Sequence, residues 1–189
     1  MKIAPSLLTV CLTACLGVLP SACTTTLPPL ESPPEHVASQ PAAPATDWKA
    51  LRSKLGEALR QLPAIEIVDT GSDSLKVRIP VADGFASGKA EMRPSLGLAL
   101  DAVTPILIAH PELAIQVIGH TDSQGSEMYN LQLSIARAET VAESLRRRGV
   151  PLERLSADGL GEADPLFSNA SESSRARNRR VELWLRPLR

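Results

Sequence analysis

The sequence predicts an α/β protein of the α+β kind, a two-layer sandwich with a β-α-β-α-β-β core whose helices pack on a small mixed sheet. Between Trp48 and Leu185, segments with apolar residues at three- and four-residue spacing alternate with short apolar runs of strand length. The run Leu113 to Ile118 lacks clean alternation, as befits a central strand covered on both faces. The last run, V-E-L-W-L, does alternate, with Val181, Leu183 and Leu185 inward against Glu182 and Trp184 outward.

Residues 1–22 open with one positive charge, Lys2, continue through an apolar run from Leu7 to Leu19, and end in the small residues Ser21 and Ala22. This is the pattern of a secretory signal peptide, not of a spanning helix. Cys23 follows directly, and the junction resembles the bacterial lipobox, whose cysteine is acylated and becomes the mature N-terminus. The resemblance implies a palmitate-bearing lipoprotein. Pro20 stands where that pattern has a leucine, and Leu12-Thr13-Ala14-Cys15 offers a second candidate, so Cys23, Cys15 and an unlipidated signal stay open. Residues 23–46 comprise the candidate lipidated cysteine and a proline-rich stretch without periodicity, a semi-rigid tether with a reach of roughly 70 Å in polyproline II.

Residues 47–74 form an N-terminal extension. Asp47 is placed to cap a helix with Trp48, Leu51, Leu55, Ala58, Leu59 and Leu62 on one side, ended by Pro63. A strand over Ile65 to Asp69 is joined through T-G-S-D-S to a second over Leu75 to Ile79, the pattern of a hairpin. From residue 75 to 189 extends the principal domain. Pro94 suits the first position of a helix burying Leu96, Leu100, Val103 and Leu107, in which Pro105 should produce a kink or an early end. A long helix reaches about Arg148, with Leu131, Ile135, Ala138, Ala142 and Leu145 as its apolar stripe and Gly149 as its cap. A strand near Leu155 to Leu160 and a polar loop from Gly161 to Arg177 precede the final strand.

Composition excludes several functions. A formal net charge of −1 lacks the cationic excess that general nucleic-acid binding requires. All three cysteines, Cys11, Cys15 and Cys23, lie in the first 23 residues, so the principal domain has neither a disulfide framework nor a cysteine metal site. His120 has no ligand partners at useful spacing, and no metal or other cofactor is expected. Ser126, Ser134 and His120 compose no ordered nucleophile, base and orienting acid, so the reading is a binding module and not an enzyme.

The stretch from Ile118 to Ala138 is where buried apolar sequence gives way to dense polarity, at Gly119, His120, Thr121 and Asp122. Asn130 and Arg137 follow on a helix, seven residues and so about 10.5 Å apart on one face. A strand end, a loop carboxylate and a guanidinium thus converge where open α/β sheets usually bind ligands. Asp122 and Arg137 suit the ammonium and carboxylate of an amino-acid head; the plainer alternative is that they bridge each other. His120 reads as a structurally hydrogen-bonded histidine, and Arg146, Arg147 and Arg148 as a solvated helix end.

The pattern G-H-T-D-x-x-G-x-x-x-Y-N-x-x-L-S-x-x-R-A resembles the OmpA-like C-terminal domain, in a Pal-like lipoprotein arrangement. F-A-S-G-K-A-E-M-R-P, R-R-G-V-P-L-E-R-L-S and S-R-A-R-N-R-R-V-E-L extend the resemblance from about Leu75 to Leu185. It implies non-covalent binding of peptidoglycan through the diaminopimelate of the stem peptide. Asp122 would take the ammonium and Arg137 the carboxylate, with Thr121, Asn130, Leu133, Arg179 and Gly88 lining the site. Ala86, where the family commonly has aspartate, and Gly84, where a bulky residue is usual, depart from the pattern. The implied location is the periplasmic face of the outer membrane, held by the N-terminal lipid, with Thr24 after the cysteine favouring that sorting. The rival implication is an interaction module that holds envelope protein partners in a secretion, efflux or motor assembly.

Overall fold

The computed structural model describes residues 46–62 and 64–188; the expected signal, Cys23, the tether and Pro63 lie outside them. The first element, α1 (Trp48–Ala58), starts where Asp47 accepts a hydrogen bond from the Ala50 N–H at 2.9 Å, satisfying one of the orphan donors of a helix N-terminus. β1 (Glu66–Asp69) and β2 (Leu75–Pro80) pair antiparallel as the expected hairpin, with Asp69 opposite Leu75. A single turn, α2 (Val81–Gly84), leads into a loop pinched by a bridge between Phe85 and Met92.

Helix α3 (Pro94–Ile108) runs through Pro105 without stopping. Proline removes one backbone donor, yet the helix continues past it, and the Ala109 N–H at its end donates to the Pro105 carbonyl. β3 (Leu113–His120) then crosses the sheet, and α4 (Glu127–Arg147) returns behind Ser126, whose hydroxyl accepts from the Tyr129 N–H. A 3₁₀ turn at Leu152–Arg154 precedes β4 (Leu155–Gly159). The stretch expected to be wholly loop contains α5 (Glu172–Asn178), capped by Ser171, and β5 (Arg180–Pro187) closes the chain.

The sheet order is β1-β2-β5-β3-β4, with β3 and β4 parallel and every other pair antiparallel. Leu75, Val77, Ile79, Ile115, Val117, Val181, Leu183 and Leu185 share one core with Leu96, Leu100, Val103 and Leu107 of α3 and Ala138, Val141 and Leu145 of α4. Leu51, Leu55 and Leu59 of α1 belong to that same core.

On the opposite face of β5, Glu182 points away from this core as expected, yet is fully buried. It accepts from Arg180 Nε at 2.8 Å, Arg78 Nε at 3.3 Å, Lys76 Nζ at 3.0 Å and Trp184 Nε1 at 3.0 Å. Burial raises the Glu182 pKa, but the bonds from Arg180 and Lys76 outweigh it and hold the carboxyl at about 2. Arg154 makes a second polar pin, donating to the carbonyls of Leu107, His110 and Leu113 and so closing the end of α3 onto the start of β3.

Candidate functional site

The site is set by how closely α4 approaches the ends of β3 and β4. Gly119 and Gly159 face each other in register, and a Cβ on either would collide with Ser134 of α4. Only glycine lets the helix lie this low. Ser134 accepts from the Gly161 N–H at 3.0 Å, and the Thr121 N–H donates to the Gly161 carbonyl at 2.8 Å, tying together the loops that leave the two strands.

Because its N-terminal half lies over backbone, α4 buries Asn130, Ser134 and Arg137 there. The expected stripe is displaced, with Leu131 37% exposed. Asn130, Leu133 and Arg137 share the face turned to the crevice by spacing, Leu133 being half-buried. Asn130 Nδ2 donates to the Asp122 carbonyl at 3.2 Å and to Glu162 Oε2 at 2.7 Å.

Asp122, 6% exposed, accepts from the Gln124 N–H at 3.0 Å and from Arg179 Nη1 at 2.5 Å. Arg179 also donates to Glu172 of α5 at 2.7 Å. Burial opposes its charge, but these two carboxylates hold its pKa above the ordinary value. Its neighbour Arg180 takes the other face of β5 and serves Glu182, the division that adjacent strand residues impose.

Arg137 does not bridge Asp122. Its Nε donates to the Lys89 carbonyl at 2.9 Å and its guanidinium sits 5.5 Å from the Phe85 ring centroid, while no carboxylate among the described residues forms an ion pair with it. Burial lowers its pKa, opposed by Tyr129 and Asp122 and reinforced by Arg179. Gly88, at φ +64°, forms the tip of the loop, and its carbonyl accepts from the Tyr129 hydroxyl at 3.2 Å. Thr121 is buried, and its hydroxyl has no hydrogen-bond partner among the described residues.

All seven candidate residues therefore lie around one end of the sheet. Tyr129, Glu162, Glu172 and the Lys89 carbonyl complete the arrangement; Tyr129 and Lys89 stood within the quoted segments, whereas Glu162 and Glu172 are fixed by contacts that no spacing announces. His120 lies just beyond the crevice, and both ring nitrogens are buried without a hydrogen-bond partner among the described residues, contrary to expectation. Burial first, then Arg180, lowers its pKa to about 4, and Glu182 at 3.8 Å opposes them. No group of three or more metal-ligating side chains occurs among the described residues, and no helix there is long and apolar enough to cross a membrane.

The chain is similar to the probable lipoprotein YiaD of Escherichia coli (strain K12), 38% identical over 121 residues that cover 64% of this chain and 55% of that protein. It is 39% identical over 104 residues to the peptidoglycan-binding protein ArfA of Mycobacterium tuberculosis, covering 55% of this chain and 31% of ArfA. The chain thus spans about half of the one relative and under a third of the other. Among solved structures it resembles the cell wall anchor of the T6SS from Pseudomonas aeruginosa, with a TM-score of 0.64 and 30% identity over 72% of this chain and 99% of that one. The model of the OmpA family matches residues 84–179, more than half of the 189 residues, and the chain belongs to the OmpA family.

Proposed function

We propose that the chain binds peptidoglycan non-covalently through the free amino-acid end of a stem-peptide diaminopimelate, and that a lipid on Cys23 holds it to the periplasmic face of the outer membrane. The observation that carries the reading is the buried Arg137 guanidinium, which pairs with no carboxylate among the described residues and sits in one crevice with Asp122. An unpaired buried charge is costly and is expected where a ligand supplies the counter-charge. Arg137 receives the ligand carboxylate, Asp122 the ammonium, and Thr121, Asn130, Leu133, Arg179 and Gly88 form the walls. Relatives named for peptidoglycan binding and for cell wall anchoring support the polymer as the ligand.

Hydrogen bonds contribute about 0.5–1.5 kcal/mol each, and the attraction of a buried charge for its ligand is largely offset by the desolvation of both, so one site binds modestly. Tethered to a membrane opposite a polymer, many modest sites hold firmly through effective concentration. The resemblance to a T6SS anchor further supports a place within a larger envelope assembly. Sedimentation with purified sacculi tests the function: the parent co-sediments, and folded Asp122→Ala and Arg137→Ala variants stay in solution. Co-sedimentation of both variants at the parent level sinks the reading. Mass spectrometry of the mature N-terminus tests the anchor, with an acylated Cys23 expected and an unmodified cysteine contradicting it.

A further inference from the structure

We infer that Glu162 is a second acceptor for the cationic end of the ligand and a specificity-determining residue of the crevice; this rests on the ammonium-and-carboxylate reading above. Glu162 is half-buried on the loop leaving β4. Its Oε2 accepts from Asn130 Nδ2 at 2.7 Å, and the same nitrogen reaches the Asp122 carbonyl at 3.2 Å, so a single donor joins it to Asp122. Gly161, immediately before it, accepts from the Thr121 N–H at 2.8 Å. The loops after β3 and β4 thereby hold Glu162, Thr121 and Asp122 as neighbours.

Of the two carboxylates, one is paired with a cation among the described residues and the other is not. Asp122 is engaged by Arg179 and the Gln124 N–H, whereas no cation pairs with Glu162 among the described residues. Thr121, tied through its backbone to Gly161, carries a hydroxyl that is buried with no partner among the described residues. An ammonium carries three donors, and the crevice offers it three acceptors in Asp122, Glu162 and the Thr121 hydroxyl. An acylated nitrogen, with one donor and no charge, leaves two of them unanswered. Glu162 therefore makes the site select a free amine more strongly than Asp122 alone, already shared with Arg179, could do.

Glu162→Gln separates this role from a structural one, because glutamine keeps an acceptor for Asn130 and loses only the charge. Calorimetric titrations of the full chain use two probes, free diaminopimelate and diaminopimelate acetylated on both nitrogens. Glu162→Gln is expected to weaken binding of the free probe by about fivefold, the upper range for a part-exposed ion pair, to flatten its salt dependence, and to leave the acetylated probe unchanged. Equal affinity of parent and variant for the free probe overturns the inference, as does an equal loss for both probes, which would make Glu162 a support for Asn130 only. A parent that binds neither probe overturns the crevice reading itself, and this assignment with it.

Discussion

Arg137 and His120 show two ways in which one residue can carry an unmet polar demand. Arg137 donates Nε to the Lys89 carbonyl, and no carboxylate among the described residues pairs with its buried guanidinium. Removing such a charge relieves the protein, since apolar replacements at buried ionic sites are often neutral or stabilising. Arg137→Met is expected to raise the melting temperature by about 3 °C, corresponding to roughly 1 kcal/mol in a domain of this size, while abolishing binding to sacculi. A variant less stable than the parent would show that the guanidinium holds the fold together. His120 is buried neutral, with its pKa lowered to about 4 from an ordinary value near 6.5. A group depressed on folding takes up protons more readily in the unfolded chain, so its contribution is present above about pH 6.5 and is lost as pH falls towards 4. The loss is on the order of 3 kcal/mol. Glu182, held at about 2, adds a further loss from its ordinary range near 4.5 downwards. Thermal melts between pH 7 and pH 4 should show the parent weakening steadily and His120→Leu weakening far less above pH 4.5. Parallel curves for the two proteins would exclude His120 as the source.

Among the elements, the placement of α4 governs the site. Gly119→Ala would drive a methyl group into the Ser134 backbone carbonyl, which cannot rotate away as a side chain can, so the helix must lift. Overpacking of this kind costs about 1–3 kcal/mol, and lifting α4 displaces Asn130 and Arg137 from the strand-end loops. The variant should melt earlier and lose sacculus binding together, with slowed hydrogen exchange no longer seen at the start of α4. Binding at parent strength would show that the close approach is dispensable. Much of this element's existence could be read in advance, from the terminal Gly149 and the three- and four-residue spacing before it. Its buried face could not, because Asn130, Ser134 and Arg137 are polar and look solvent-facing until a glycine-lined strand end is known to lie beneath. For the same reason the motif yielded Asp122 and Arg137 but not Glu162, whose place depends on a hydrogen bond across 32 residues of chain. α5 escaped notice because E-S-S-R-A-R-N has no apolar period; it is held by Arg175 on Glu172 and by Asn178 on Phe167 and Asn169.

In the whole molecule, the place where the described chain begins and the crevice lie at opposite ends of β3. Thr46 donates to Glu112, whose backbone carbonyl accepts from the Leu188 N–H, just before β3 starts at Leu113, while the strand ends at His120 beside the site. Eight residues of strand separate the two ends by about 25 Å. The described chain thus begins at the end of β3 that lies away from the crevice. The N-terminal extension, residues 47–74, is built into the core. Leu51 and Leu55 are completely buried and Leu59 is 4% exposed, all within the single hydrophobic core, and β1 covers the β2 edge of the sheet. Full burial of a leucine contributes about 1.5–3 kcal/mol, so three together supply roughly 6 kcal/mol, comparable with the entire net stability of many domains at about 5–15 kcal/mol. A chain beginning at Leu75 is expected to lose most of its cooperative melting and its binding to sacculi, whereas one beginning at Thr46 retains both. The comparison by circular dichroism is direct. A 75–189 chain that melts within a few degrees of the 46–189 chain would make α1 and β1 an appendage.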